Sequence, residues 1–285
     1  MITAKIEYPF HLARKDFLDW LGQNKSMLMQ QKRLAGKEAD GVAFTHGGRV
    51  LDMKGNAVKA ISAAQVATIG AELQVKAAIN TTNWMDSHLD VHFPGIWKKT
   101  LSENKDMLMM LQEHEMSFKA VIADGPDLRA YTKRMTWREL GMDYDGTTEV
   151  LIFEATVKKS RNEFMFGEYA QGHVKNHSVR IQYVRLNLCV NSEEKYWREE
   201  KEHWDDYIDQ VVNKDFAEEI GFFWAVTEGK AIEGSAVVRG SNIVTPTLMV
   251  SSKSAPPDDG TQTVEPGQLT QNVLKALQTK NIFLE

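Results

Sequence analysis

The sequence predicts an α+β protein: a mostly antiparallel, barrel-like core of strands flanked by helices, with an N-terminal extension and a flexible C-terminal tail. Three observations predict it. Residues 149–157 (EVLIFEATV) and 179–190 (VRIQYVRLNLCV) alternate apolar and polar side chains at the two-residue period of a half-buried strand. Residues 197–220 place Trp197, Trp204, Ile208, Val211 and Ile220 in a helical stripe on a charged background, so a helix is inserted among strands. Residues 251–268 (SSKSAPPDDGTQTVEPGQ) are rich in Ser, Pro, Gly and Asp and have little apolar area to bury.

The elements follow in chain order. Residues 10–34 repeat Phe17, Trp20, Leu21 and Leu28 near helical spacing and read as an amphipathic helix. The glycines and charges of 36–55 suit a loop or loose hairpin, and the Ala-rich stretch that follows to Ile79 favours helix. In 149–157, Leu151, Phe153, Ala155 and Val157 share one face of a strand. In 179–190 the apolar phase slips by one residue between Tyr183 and Val184, which a β-bulge would absorb. Phe222 to Val226 and Ala231 to Val238 are apolar runs separated by Glu228-Gly229, the pattern of a hairpin. Leu269, Val273, Leu274 and Leu277 recur at helical spacing after the linker. These readings give an extension over 1–75, a core domain over 76–250, and a linker with an amphipathic helix over 251–285.

Composition narrows the function. Lys and Arg number 34 against 39 Asp and Glu, a net charge of −5, so the surface offers no basic field for nucleic acid. The single cysteine, Cys189, excludes an internal disulfide and a cysteine-rich zinc site; it lies in an alternating apolar run, as a buried residue would, and implies a reducing compartment. No run of about 18 apolar residues is present, and the start lacks the apolar stretch of a secretory signal, so a soluble intracellular protein with no membrane partner is expected.

Two constellations of residues have chemical potential. Asp86, His88, Asp90 and His92 are metal-ligand types spaced two apart and would share one face of an extended chain. Zinc sites draw ligands from more than one segment, so a solvated polar face is the better reading. The second constellation is a serine with a histidine base. Ser178 opens the bulged strand, and with Val179, Ile181 and Tyr183 turned to the core it points with Arg180 and Gln182 to the more polar face. A serine hydroxyl needs a base to take its proton. His177 is adjacent but faces the other way, whereas His114 closes an apolar run of strand length and fits better.

The succession DSHLDVHFPGIWKKTL, LMMLQEHE, GHVKNHSVRIQYV and AIEGSAVVRGSN resembles the prohead maturation proteases of tailed bacteriophages, distant relatives of the herpesvirus assemblins. The resemblance covers roughly residues 83–246 as short motifs in the correct order. It implies a serine endopeptidase on a small β-barrel flanked by helices, located inside the immature phage head in the bacterial cytoplasm. His114 would be the general base, Ser178 the nucleophile and Glu233 the acid that orients the imidazole. No cofactor or metal is implied. The substrates would be the scaffold and major capsid proteins, with the chain itself as a further substrate, and self-association stays open. The segment Val238-Arg239-Gly240-Ser241-Asn242 departs from the family, where a proline is more usual. Assemblins use a second histidine as third member, which leaves His173 and His88 in competition with Glu233. Without the family, Glu233 still needs a partner such as His or Arg, because a carboxylate between Ile232 and Ala236 is costly to bury alone; a salt bridge to Arg239 or another surface cation is the equal alternative. A noncatalytic capsid or scaffold component fits the tail equally well, and a His/Asp metal-dependent hydrolase is the third alternative.

Overall fold

The long β-strand β8, Phe222–Val237, is the axis on which the molecule is built. The computed structural model describes residues 6–34 and 70–252. In chain order these form α1 (Arg14–Leu34), β1 (Glu72–Thr81), β2 (Asp90–His92), α2 (Lys98–Glu103), β3 (Met109–Gln112), β4 (Val121–Asp124), β5 (Leu128–Thr136), β6 (Thr147–Lys158), α3 (Glu163–Ala170), β7 (Asn176–Val190), α4 (Arg198–Tyr207), α5 (Lys214–Ile220), β8 and β9 (Thr247–Ser252). The fold is mixed α+β, as the sequence predicts, and no helix among the described residues is long and apolar enough to cross a membrane.

The strands do not close into a barrel. They make two open sheets, one of four strands in the order β5-β6-β1-β9 and one of five in which β8 is flanked by β7 on one side and by β2 and β3 on the other, with β4 outside β3. Pairing is antiparallel except that β2 and β3 run parallel to successive parts of β8. Alternation alone fixes which side chains face inward; it does not say whether the last strand pairs with the first, which is what separates a barrel from two stacked sheets.

The predicted strand 149–157 lies within β6, whose Leu151, Phe153, Ala155 and Val157 enter the main core. The phase slip in β7 is a real irregularity: the register with β8 skips Val184, which is half exposed, while Tyr183 and Leu186 stay buried. Three expectations fail. The Ala-rich stretch is not helical at its end: Glu72–Thr81 is a strand, with Leu73, Val75, Ala77 and Ile79 alternating into the core between β6 and β9. Here a weak helix propensity yields to pairing on both edges. Strand β1 therefore also crosses the domain boundary expected near residue 75.

The expected hairpin at Glu228-Gly229 is instead continuous strand, because β7 pairs with β8 along its whole length. Gly229 serves packing there, since a Cβ would come 2.4 Å from Ile181 Cδ1. The single helix expected over 197–220 is two: α4 ends at Tyr207, a 3₁₀ turn covers Ile208–Gln210, Val211 is extended and α5 begins at Lys214. The apolar stripe survives the break, with Trp197, Trp204, Ile208 and Val211 all buried.

Helix α1 is where the sequence places one. Its Phe17, Leu21 and Leu28 join the same core as β1, β7 and β8, so it is part of the core rather than an appendage. Cys189 is fully buried, as expected. The described residues belong to one compact unit that ends at Lys253. The linker expected from residue 251 begins later, because Ser251 and Ser252 pair with Gln74 and Leu73 as the end of β9; the loop expected over 36–55, the rest of the linker and the terminal amphipathic stripe lie outside the described residues.

Candidate active site

The face of β8 opposite the core gathers the polar residues. Gly234 faces the four-stranded sheet, where an added Cβ would meet Phe153 and Ile79. By the two-residue period Glu233 and Ser235 must face the other way. Directly opposed residues on paired strands share a face, so β7 adds Ser178 across from Ser235 and Arg180 across from Glu233. On the other side β3 runs parallel to β8 with Leu111 level with Ser235, and the chain leaving β3 delivers His114 over the same face.

His114 and Glu233 meet there. His114 Nδ1 donates to Glu233 Oε1 at 2.5 Å, and Glu233 is 0% exposed. The other carboxylate oxygen, Oε2, accepts the hydroxyl proton of Ser235 at 2.6 Å. Arg180 Nε stands 3.7 Å from Oε1, and its guanidinium also donates to the His114 carbonyl at 2.9 Å. A carboxylate wholly removed from water is costly unless its lone pairs and charge are matched, and these three residues match them. With Nδ1 protonated toward Glu233, the lone pair of the imidazole sits on Nε2, which is buried and has no hydrogen-bond partner among the described residues.

The backbone that carries His114 is unusual. Glu113 and His114 both adopt left-handed conformations, with φ of 50° and 57°, which disfavours side chains with a Cβ. Three hydrogen bonds hold the pair: Glu113 N–H to Ala236 O at 2.9 Å, His114 N–H to Ser235 Oγ at 3.1 Å, and the bond from Arg180. Two residues further along the same connection the chain reaches solvent, with Met116 57% and Phe118 92% exposed.

The structure thus brings His114 and Glu233 into direct contact and places Ser178 on the same sheet face, one strand away. Ser178 and His114 are 8% and 6% exposed, and no hydrogen bond joins Ser178 to Nε2. The competitors for third member lie elsewhere. His173 is on the surface beside Glu168 at 3.3 Å, and His88 belongs to the approach to β2, which pairs with β8 at Trp224 to Val226, roughly 23–30 Å along the strand from Glu233. Arg239, expected as a surface partner for Glu233, is exposed, and the buried Arg180 takes that place. His177 faces away from Ser178 as expected: it accepts from Tyr169 OH at 3.0 Å and donates from Nδ1 to Thr245 O at 3.1 Å, and burial lowers its pKa to about 4.

Sequence reasoning missed Ser235 altogether and gave Arg180 no task beyond its face. Both were reachable from the alternation, since each stands two residues from a chosen residue on the same strand.

The run from Asp86 to His92 is not one extended face. Asp86, His88 and Asp90 do converge, but around a turn with Leu89 at φ 60°, and only Asp90–His92 is strand. A cation is already present: the buried ammonium of Lys32 donates to Asp90 Oδ1 at 2.6 Å and to His88 O at 3.2 Å, while Tyr183 OH donates to Asp90 Oδ2 at 2.7 Å. His92 turns aside to pack against Trp97 and Tyr183. The chemistry of this cluster is that of a buried lysine–aspartate network.

Comparison with family models, curated proteins and solved structures gives no match.

Proposed function

We propose that the chain is a serine endopeptidase with His114 as general base, Ser178 as nucleophile and Glu233 as the acid that fixes the imidazole, of the kind that cuts scaffold and capsid proteins, and itself, in an immature phage head. The observation that carries the reading is the buried His114–Glu233 pair, with its Nε2 lone pair uncommitted, on the sheet face that holds Ser178. Ser178 Oγ attacks the scissile carbonyl carbon as His114 Nε2 takes its proton, and the imidazolium is stabilised by Glu233. The tetrahedral adduct collapses as Nε2–H protonates the leaving amine, which leaves an acyl group on Ser178. Water then repeats the sequence, releasing the acid and restoring the hydroxyl. Ser178 must come within hydrogen-bond reach of Nε2 when substrate binds, a tightening common on passing from free enzyme to complex. Ser235 is the wrong serine for the attack, because its proton is committed to Glu233.

One observation favours a noncatalytic assembly protein instead: Ser178 and His114 are both nearly buried and do not touch through a hydrogen bond, as in a polar network that only specifies the core. Incubating wild-type and Ser178→Ala protein with the cognate scaffold and capsid proteins, followed by mass spectrometry, separates the two. The protease reading expects cleavage products from the wild type, a loss of about 10³-fold or more in Ser178→Ala and His114→Ala, and a smaller loss in Glu233→Ala. Equal cleavage by Ser178→Ala, or none by the wild type, removes it.

A further inference from the structure

We propose that Ser235 is a positioning residue for the His114–Glu233 pair, acting through a single hydroxyl that accepts the main-chain N–H of His114 and donates to Glu233 Oε2. The kinetic consequence rests on the protease reading above; the structural one does not.

The argument starts from what has to be held in place. His114 sits on two consecutive left-handed residues that would relax if released. Its own N–H has Ser235 Oγ as acceptor at 3.1 Å, so the hydroxyl fixes the height of the imidazole above the sheet. Glu233 can present Oε1 to Nδ1 in a fixed direction only if Oε2 is also anchored, and the donor to Oε2 is the same hydroxyl at 2.6 Å. Base and acid are thereby referenced to one atom on β8, although His114 and Glu233 are 119 residues apart in sequence. A hydroxyl suits this position because it carries one donor and two acceptor sites; a methyl group supplies neither. Ser235 is fully buried, so water cannot take over when the oxygen is removed. Its place across β7 from Ser178 puts this reference point beside the proposed nucleophile as well.

The test compares wild type, Ser235→Ala and Ser235→Thr in the full chain. Turnover and KM are measured on a peptide that the wild type cleaves, the thermal midpoint is measured alongside, and the Nδ1–H resonance of His114 is followed by NMR. Ser235→Ala is expected to lower kcat by about 10- to 100-fold, the scale of a small misplacement of reacting groups, with KM within about twofold. The downfield Nδ1–H resonance should move or broaden. Ser235→Thr, which keeps the hydroxyl, should restore both. Wild-type kcat with an unmoved resonance in Ser235→Ala overturns the proposal. So does a parallel loss in both variants that tracks the thermal midpoint, which would mark Ser235 as core packing alone. If the wild type cleaves nothing, the protease reading fails, and the resonance by itself decides whether Ser235 positions the pair.

Discussion

Gly234 is the residue at which the candidate site meets the core. Its neighbours Glu233 and Ser235 project to the site, while its own missing side chain leaves room for Phe153 and Ile79 of the opposite sheet, 2.7 and 2.8 Å from where a Cβ would stand. Neither contact can be relieved cheaply, because both side chains are fully buried. Gly234→Ala is therefore expected to destabilise the fold by about 1–3 kcal/mol, read from urea denaturation, and to lower turnover by displacing Glu233 and Ser235 along with β8. Adding Phe153→Leu should recover part of the loss. A stability equal to wild type would mean that the sheets separate without strain. In sequence this glycine looks like any other in an apolar run, since its reason lies on two strands more than 80 residues away. By contrast Ser178, Arg180, Glu233 and Ser235 are assigned to faces by alternation alone, and that much of the site was legible.

At the scale of elements, helix α1 combines what a sequence reveals with what it hides. Leu21, Leu28 and Lys32 fall on one helical stripe, so the buried face could be drawn, yet a lysine on that stripe reads as the place where the helix returns to solvent. Instead Lys32 is buried against Asp90, which comes 58 residues later, and over the Trp224 ring at 5.5 Å. Burial lowers its pKa, the desolvation outweighing the neighbouring acidic groups. Removing one member of such a pair strands the other charge. Lys32→Met and Asp90→Asn are each expected to cost about 3–5 kcal/mol, whereas the double variant Lys32→Met/Asp90→Asn, which leaves an acceptor for Tyr183 OH, should lose far less than their sum. Denaturation of the two singles and the double variant closes the cycle, and additive losses would mean that the ion pair does not dock α1. The elements misread in sequence share one cause. Strand β1, the unbroken β8 and the split between α4 and α5 are each decided by a partner strand or a packing contact distant in the chain, while β6 and β7 carry their own alternation.

At the scale of the whole molecule, two stacked sheets replace the expected barrel, and with them comes a dependence on a few buried polar clamps. His177 is one: it ties β7 to α3 through Tyr169 and to the chain before β9 through Thr245, whose hydroxyl returns a hydrogen bond to the His177 carbonyl at 2.6 Å. Burial pushes the Tyr169 phenol up, so it remains a donor, and the imidazole must accept at Nε2 and stay neutral. A proton on Nε2 would turn the phenol hydrogen out of this bond and place a positive charge in a site that excludes water, which burial disfavours. The pKa of His177 is accordingly lowered to about 4, below the 6.5 of an unhindered histidine. The unfolded chain therefore binds this proton more readily than the folded one. The stability contribution is complete above about pH 6.5 and is lost as the pH falls toward about 4, at roughly 1.4 kcal/mol per pH unit and about 3 kcal/mol in all. That is a sizeable part of the 5–15 kcal/mol typical of a folded domain. Urea midpoints measured from about pH 7 down to about pH 4 should fall more steeply for the wild type than for His177→Phe, by close to one proton's worth of slope. Parallel slopes in the two proteins would show that His177 is not the group whose protonation loosens the fold.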